Sequence, residues 1–182
     1  MSFPSEKQLR DRLAQAENAV YFATADKRSR YYGFGIAEEL IGASFEEVAD
    51  WAKQQRYPVF GGFAFDDQTV PDSQLMNGYF VLPAVLYDIT DQYLWGRETN
   101  PFGAPYRQEP VAILATTDET DWPERVNNAI QDMTENDTHQ KVVLGRQRQV
   151  TLSGQLNLAK LLADLADQQP NSYHMVIKLS LI

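Results

Sequence analysis

The chain contains no cysteine, which excludes a disulfide scaffold, a thiolate nucleophile and a cysteine-ligated zinc site at once. Histidine is almost as scarce: His139 and His174 are the only two, and they lack any metal-ligand spacing. Each is assigned a surface or structural role. No uninterrupted apolar run approaches the roughly 20 residues of a membrane-spanning helix. The opening residues run into charge, not into the apolar core of a secretion signal. Walker, dinucleotide-binding, His-Glu-x-x-His and serine-hydrolase patterns are all missing. Positive charge is in deficit as well, with 16 lysines and arginines against 25 acids and a formal charge of -9. That balance opposes nonspecific attraction to nucleic acid or to an anionic membrane. The expectation is a cytoplasmic chain with no nucleic-acid and no membrane partner.

What is present argues for a packed fold. Of 182 residues, 43% are hydrophobic, including nine Phe, nine Tyr and three Trp, enough for one domain with a substantial core or a large domain with an appendage. Val59-Phe60-Gly61-Gly62-Phe63-Ala64-Phe65-Asp66 reads as a buried strand, with Val59, Gly61, Phe63 and Phe65 on one side. Gly61 and Gly62 remove side chains where another backbone or a ligand comes close. Leu9, Leu13 and Ala16 give a one-faced helix, and Ser44-Phe45-Glu46-Glu47 a capping box at the start of another. A third helix is expected from Asp121-Trp122-Pro123-Glu124 onward, with a stripe of Trp122, Val126, Ala129, Ile130 and Met133; a fourth follows over 156–167. Strands are expected near 20, 31, 58, 79, 93, 111, 141 and 173, joined by short links that favour antiparallel pairing. Pro83 calls for a bulge or an edge.

Residues 141–146 alternate Lys141, Val143 and Gly145 on one face with Val142, Leu144 and Arg146 on the other. Taken alone, Lys141 is a strand-start charge reaching solvent. Asp66 and Asp67 diverge along an extended chain and make a poor carboxylate pair.

Three blocks in order, Tyr32-Gly33-Phe34-Gly35-Ile36-Ala37, Phe60 to Asp66 with Phe80-Val81-Leu82-Pro83, and Lys141-Val142-Val143-Leu144-Gly145-Arg146, resemble the amino-terminal part of isochorismate synthase. That enzyme belongs to the chorismate-utilising family. Gly145 departs from an alanine in the family's Lys-Val-Val-Leu-Ala-Arg segment. The resemblance implies an α+β fold, mainly antiparallel sheet with outer helices, forming part of the family's architecture. It implies that Lys141 is the general base activating water in the conversion of chorismate to isochorismate, by water addition and hydroxyl loss, for menaquinone or siderophore precursors. Gly145 and Arg146 are then substrate-proximal, and Gly61, Gly62, Phe63, Phe65 and Asp66 form a structural motif. A lysine base needs desolvation or positive neighbours to bring it toward neutrality.

The same resemblance covers only the first part of a longer enzyme. The expected chain is therefore a truncated homologue, inactive by itself, that lacks the acid and the carboxylates holding Mg²⁺ in the full family and binds no metal of its own. Its expected organisation is an amino-terminal lobe at 1–99, a connection at 100–110 and an incomplete chorismate-binding region at 111–182. Tyr173, Met175, Ile177, Leu179 and Leu181 alternate onto one face, which suggests an uncovered apolar strand and self-association through 173–181. The alternatives are a noncatalytic binding or assembly module of the same fold, and a fragment of an enzyme similar to salicylate synthase.

Overall fold

The computed structural model describes residues 3–64, 73, 75–98, 106–107, 110–118, 120–135 and 141–180. In chain order the elements are α1 (Glu6–Gln15), β1 (Ala19–Ala23), β2 (Arg30–Leu40), α2 (Phe45–Gln54), β3 (Phe60–Phe63), β4 (Asn77–Asp88), β5 (Tyr93–Gly96), β6 (Ile113–Asp118), α3 (Trp122–Glu135), β7 (Arg148–Leu152), α4 (Leu158–Gln168) and β8 (His174–Lys178). They fall into two compact units: Met1–Arg107 with Asn157–Ile182, and Gln108–Leu156. The chain leaves the first unit after Arg107 and returns to it at Asn157.

β4 organises the first unit. Apolar residues on both of its faces bury Tyr79, Val81, Val85, Leu86 and Tyr87, as a strand covered on both sides requires. One edge pairs with β2, while β3 and β5 share the other edge end to end. Beyond β2 come β1 and then β8, giving the order β3-β4-β2-β1-β8 with β5 beside β4. Every pairing is antiparallel. The fold is thus mainly antiparallel sheet with outer helices.

Each face of the sheet has its own core. On one, Leu9 and Leu13 of α1 and Leu162 of α4 pack with Tyr21, Tyr32 and Tyr87. On the other, Val20, Phe60, Tyr79, Val81 and Leu86 cluster. Period-two alternation runs cleanly through β1 but changes phase within β2 and β4. Phe34 lies on the helix-covered side and Ile36 on the opposite side; Val81 and Val85, although both odd-numbered, also lie on opposite sides. Gly35 sits at φ +66, and the register shifts between Ile36 and Glu38, beside the pair Ile36↔Pro83. The exchange of faces falls between Phe34 and Ile36, at the positive-φ Gly35, and the bulge expected at Pro83 follows it directly. Gly33 makes room for it: a Cβ there would lie 2.5 Å from Val20 Cγ2 and 2.6 Å from Pro83 Cγ.

Helix starts follow local chemistry. Ser44 Oγ accepts from Glu47 N at 3.3 Å while Ser44 N donates to Glu47 Oε2 at 2.8 Å, the reciprocal box expected from the sequence. The same device at Ser5 and Gln8 starts α1. In α2 only Val48 is buried. Phe45 is 75% exposed and lies against Phe63 at 6.2 Å, and Trp51 Nε1 donates to Glu38 at 3.3 Å.

The glycine-rich strand differs from expectation. It covers Phe60–Phe63 and lies at an edge of the sheet, paired among the described residues only with β4. The buried side is that of Phe60, while Phe63 is 36% exposed, because Phe60 pairs with the inward Val81. Phe65, Asp66 and Asp67 lie outside the described residues, as does His139. His174 is buried, its Nε2 3.0 Å from the Gln169 carbonyl. On β8 and the residues flanking it, Ile177 and Leu179 pack against the second core, whereas Tyr173 and Met175 are exposed. Leu181 is not among the described residues.

The second unit is a two-stranded ladder, β6 with β7, and the helix α3 that lies between them in sequence. The strand expected near 141 does not form there. Residues 141–147 are irregular and β7 begins at Arg148. Its partner β6 ends at Asp118, opposite Arg148, so the preceding residues have no ladder to join, and an extended segment without one leaves its backbone groups to water. The expected packing stripe of α3 is half-covered: Trp122, Val126, Ala129 and Met133 are half-buried, none of the helix is fully buried, and Ile130 is 53% exposed. No described helix is long and apolar enough to cross a membrane.

Candidate functional site

The residues singled out from the sequence separate between the two units. Gly61, Gly62 and Phe63 belong to the first; Lys141, Gly145 and Arg146 belong to the second.

In the first group the glycines do different things. A Cβ on Gly61 would overlap the Tyr79 carbonyl oxygen and the Phe80 ring, whereas one on Gly62 would make ordinary contact with Leu75 at 3.6 Å. Gly61 is therefore filled space, with the aromatic ring of the neighbouring strand lying where a side chain would be. The register shift between Gly62 and Phe63 marks an irregularity at the second glycine. The Phe63 ring lies tilted against that of Phe80, with centroids 5.0 Å apart. Close by, Tyr79 Oη donates to Glu39 at 2.7 Å; burial first, and then that carboxylate, push its phenol up to about 12.

In the second group Lys141 is exposed and makes no hydrogen bond or ion pair to a described residue. The enclosure that a lysine base needs is not supplied by its surroundings in this unit. Val143 is 82% exposed, and nothing lies within 4 Å of where a Cβ on Gly145 would be. Arg146 is the tethered member. Its Nε donates to Asp118 Oδ1 at 2.7 Å and its Nη2 to Asp118 Oδ2, a bidentate fork in which both carboxylate oxygens are used. The Arg146 guanidinium also lies 5.9 Å from the Trp122 ring centroid, and that of Arg125 lies 5.8 Å from it, within cation–π range. Asp118 and Trp122 were not legible as parts of this site, since the ion pair spans 28 residues and depends on the register of β6 with β7.

Among the described residues no three histidine, aspartate or glutamate side chains converge to hold a metal ion. A groove of about 280 Å³ in the first unit, lined by Lys7, Arg10, Asp11 and Lys160 among others, contains none of the candidates. Its lysines are already paired, Lys7 with Asp11 at 2.6 Å and Lys160 with Asp164 at 2.5 Å.

Comparison with known proteins bears on both units. Residues 97–180 match a family model described as chorismate binding enzyme. The fold is similar to that of MenF, the menaquinone-specific isochorismate synthase from Escherichia coli, with a TM-score of 0.63 at 16% identity. The similarity covers 94% of this chain and 44% of that one, so the chain spans less than half the length of the solved relative. No curated protein matches the sequence. The chain thus resembles the chorismate-binding enzymes at the family level over residues 97–180, within a partial fold of the isochorismate-synthase type.

Proposed function

We propose that the chain is part of a chorismate enzyme of the isochorismate-synthase type, with Lys141 as the base that activates water. The observation that carries this reading is the family match over 97–180, which contains Lys141–Arg146. In the proposed reaction water adds at one carbon of the chorismate ring and the hydroxyl leaves from another, giving isochorismate for menaquinone or siderophore precursors in the cytoplasm. Lys141 takes the proton of the attacking water. The chain alone does not complete the reaction. Its lysine is exposed, and an acid for the leaving hydroxyl, partners for two substrate carboxylates and Mg²⁺ ligands have to be fixed together with it.

Purified residues 1–182, given Mg²⁺ and chorismate with coupled detection of isochorismate, are expected to show no turnover above that of Lys141→Ala. Robust Mg²⁺-dependent turnover that disappears in Lys141→Ala would overturn the incomplete-site reading. Calorimetry tests the family reading itself: weak chorismate binding, reduced in Lys141→Ala, supports it.

A second reading, a noncatalytic assembly module of the same fold, is favoured by one observation. β8 ends the sheet with β1 as its one strand partner among the described residues, and it leaves Tyr173 69% and Met175 47% exposed. Light scattering across a concentration series decides this: mass that rises with concentration and reverts in Met175→Lys supports self-association, and a constant monomer mass removes it.

A further inference from the structure

We infer that Arg146 is a positioning residue, which fixes the Lys141 segment through Asp118 and Trp122, and is not a ligand for a substrate carboxylate. This rests on the reading of Lys141 as the reacting residue. The argument begins with what the segment lacks. Of residues 141–147 only Leu144 is even half-buried. No side chain of the segment other than Arg146 makes a hydrogen bond or ion pair to a described residue. Packing therefore does not decide where these residues lie, and a glycine at 145 with open space around it adds freedom next to the anchor.

Asp118 constrains the segment twice. Its backbone pairs with Arg148 as the last step of the β6–β7 ladder, and its carboxylate takes the Arg146 fork. The chain is thus held at two points two residues apart, one by backbone and one by side chain. The side-chain anchor thus carries the constraint of the ladder two residues beyond its last pair. The five residues from Arg146 back to Lys141 reach at most about 17 Å when fully extended, so an anchor at Arg146 bounds the lysine's range. Trp122 adds a flat surface for the guanidinium plane.

The fork also bears on ligand binding. A planar guanidinium already engaged at both Nε and Nη2 has to give up Asp118 before it can grip a second carboxylate the same way. The pair is not buried, with side chains 44% and 31% exposed. Its contribution to global stability is accordingly small, and its effect is local order.

Nuclear magnetic resonance on the full 182-residue chain tests this without turnover. In the parent protein, Arg146 Nε–H is expected as a resolved, slowly exchanging signal, and the amides of 141–147 give heteronuclear NOE values above those of a free tail. Asp118→Ala and Arg146→Lys each abolish the side-chain signal and lower the NOE values over 141–147, with the β1, β2 and β4 resonances unmoved. The exchanged pair Asp118→Arg with Arg146→Asp restores the NOE values. Unchanged NOE values in Asp118→Ala would overturn the inference.

Chorismate titration supplies the second arm. Loss of affinity in both Asp118→Ala and Arg146→Lys supports positioning. Loss in Arg146→Lys with equal or tighter binding in Asp118→Ala makes Arg146 a substrate ligand and overturns the inference. If chorismate does not bind the parent chain, the proposed role of Lys141 is what fails, and the NOE measurement still decides the clamp.

Discussion

The two adjacent glycines at 61 and 62 look alike in the sequence and differ in three dimensions. Gly61→Ala pushes a methyl group into the Tyr79 carbonyl and the Phe80 ring, and overpacking of this kind costs about 1–3 kcal/mol. Gly62→Ala meets only Leu75 at van der Waals distance and should change stability by less than about 0.5 kcal/mol. Urea denaturation of the two variants checks this, and equal midpoints would contradict the assignment. A pH effect belongs to the same scale. Burial, with Glu39 adding to it, raises Tyr79 to about 12. Burial also raises Tyr21, Tyr32 and Tyr87. Below the ordinary phenol value of about 10, folded and unfolded chains are both protonated and the stability is fully present. Above it the unfolded chain releases protons that the folded chain retains, so stability falls as pH rises from there through the folded values. The urea midpoint should decline over that range, and less steeply in Tyr79→Phe. The sequence announced aromatic abundance, but not which phenols are buried, because burial depends on which face each strand position turns inward.

At the scale of elements, what was legible was what neighbours in sequence determine. The Ser44–Glu47 box and the Leu9–Leu13 stripe need only one helical turn to be recognised. Leu9 and Leu13 are both 0% exposed, and Leu13→Ala is expected to cost about 2–5 kcal/mol. Leu161 of α4 is 37% exposed, and its replacement by alanine is expected to cost under about 1 kcal/mol. Thermal or urea unfolding of the two variants should separate them clearly. What escaped the sequence were features that one strand imposes on another. The change of phase near Gly35 and Pro83 coincides with a positive-φ glycine on one strand and a proline on the next, which come together only because β2 and β4 are adjacent. The 141–147 segment has strand-like alternation, yet a strand also needs a partner, and β6 stops at Asp118. Lys141 is proposed from its motif alone, whereas the Asp118–Arg146 pair had no local signal, since Asp118 reaches Arg146 across a ladder.

At the scale of the molecule the two units differ in how much they cover. The first has a core on each face of its sheet; in the second, none of the described residues is buried. Local opening is cheap where few apolar contacts hold the backbone. Amides of β6, α3 and β7 are therefore expected to exchange with deuterium well before those of β1, β2 and β4. A protease at low dose should cut first between Gln108 and Leu156, leaving the flanking pieces associated. Protection in α3 equal to that in β4 would show that the second unit is held by contacts of comparable strength. Fold class was readable from the run of short strands and short links. Which early strand receives the late one was not, because nothing in His174–Lys178 names β1 as its partner.

The pairing of β8 with β1 has a consequence in time. During synthesis β1 emerges early, but the strand that closes its outer edge is made only after the whole second unit has been synthesised. α1 likewise waits for α4, which packs beside it. Until then the nascent chain carries an open strand edge and an uncovered apolar helix face, the surfaces that invite aggregation and chaperone capture. Closing them requires contacts between residues far apart in sequence, which slows folding. This chain cannot fold its first unit as it is made; it has to hold that unit open and finish it last.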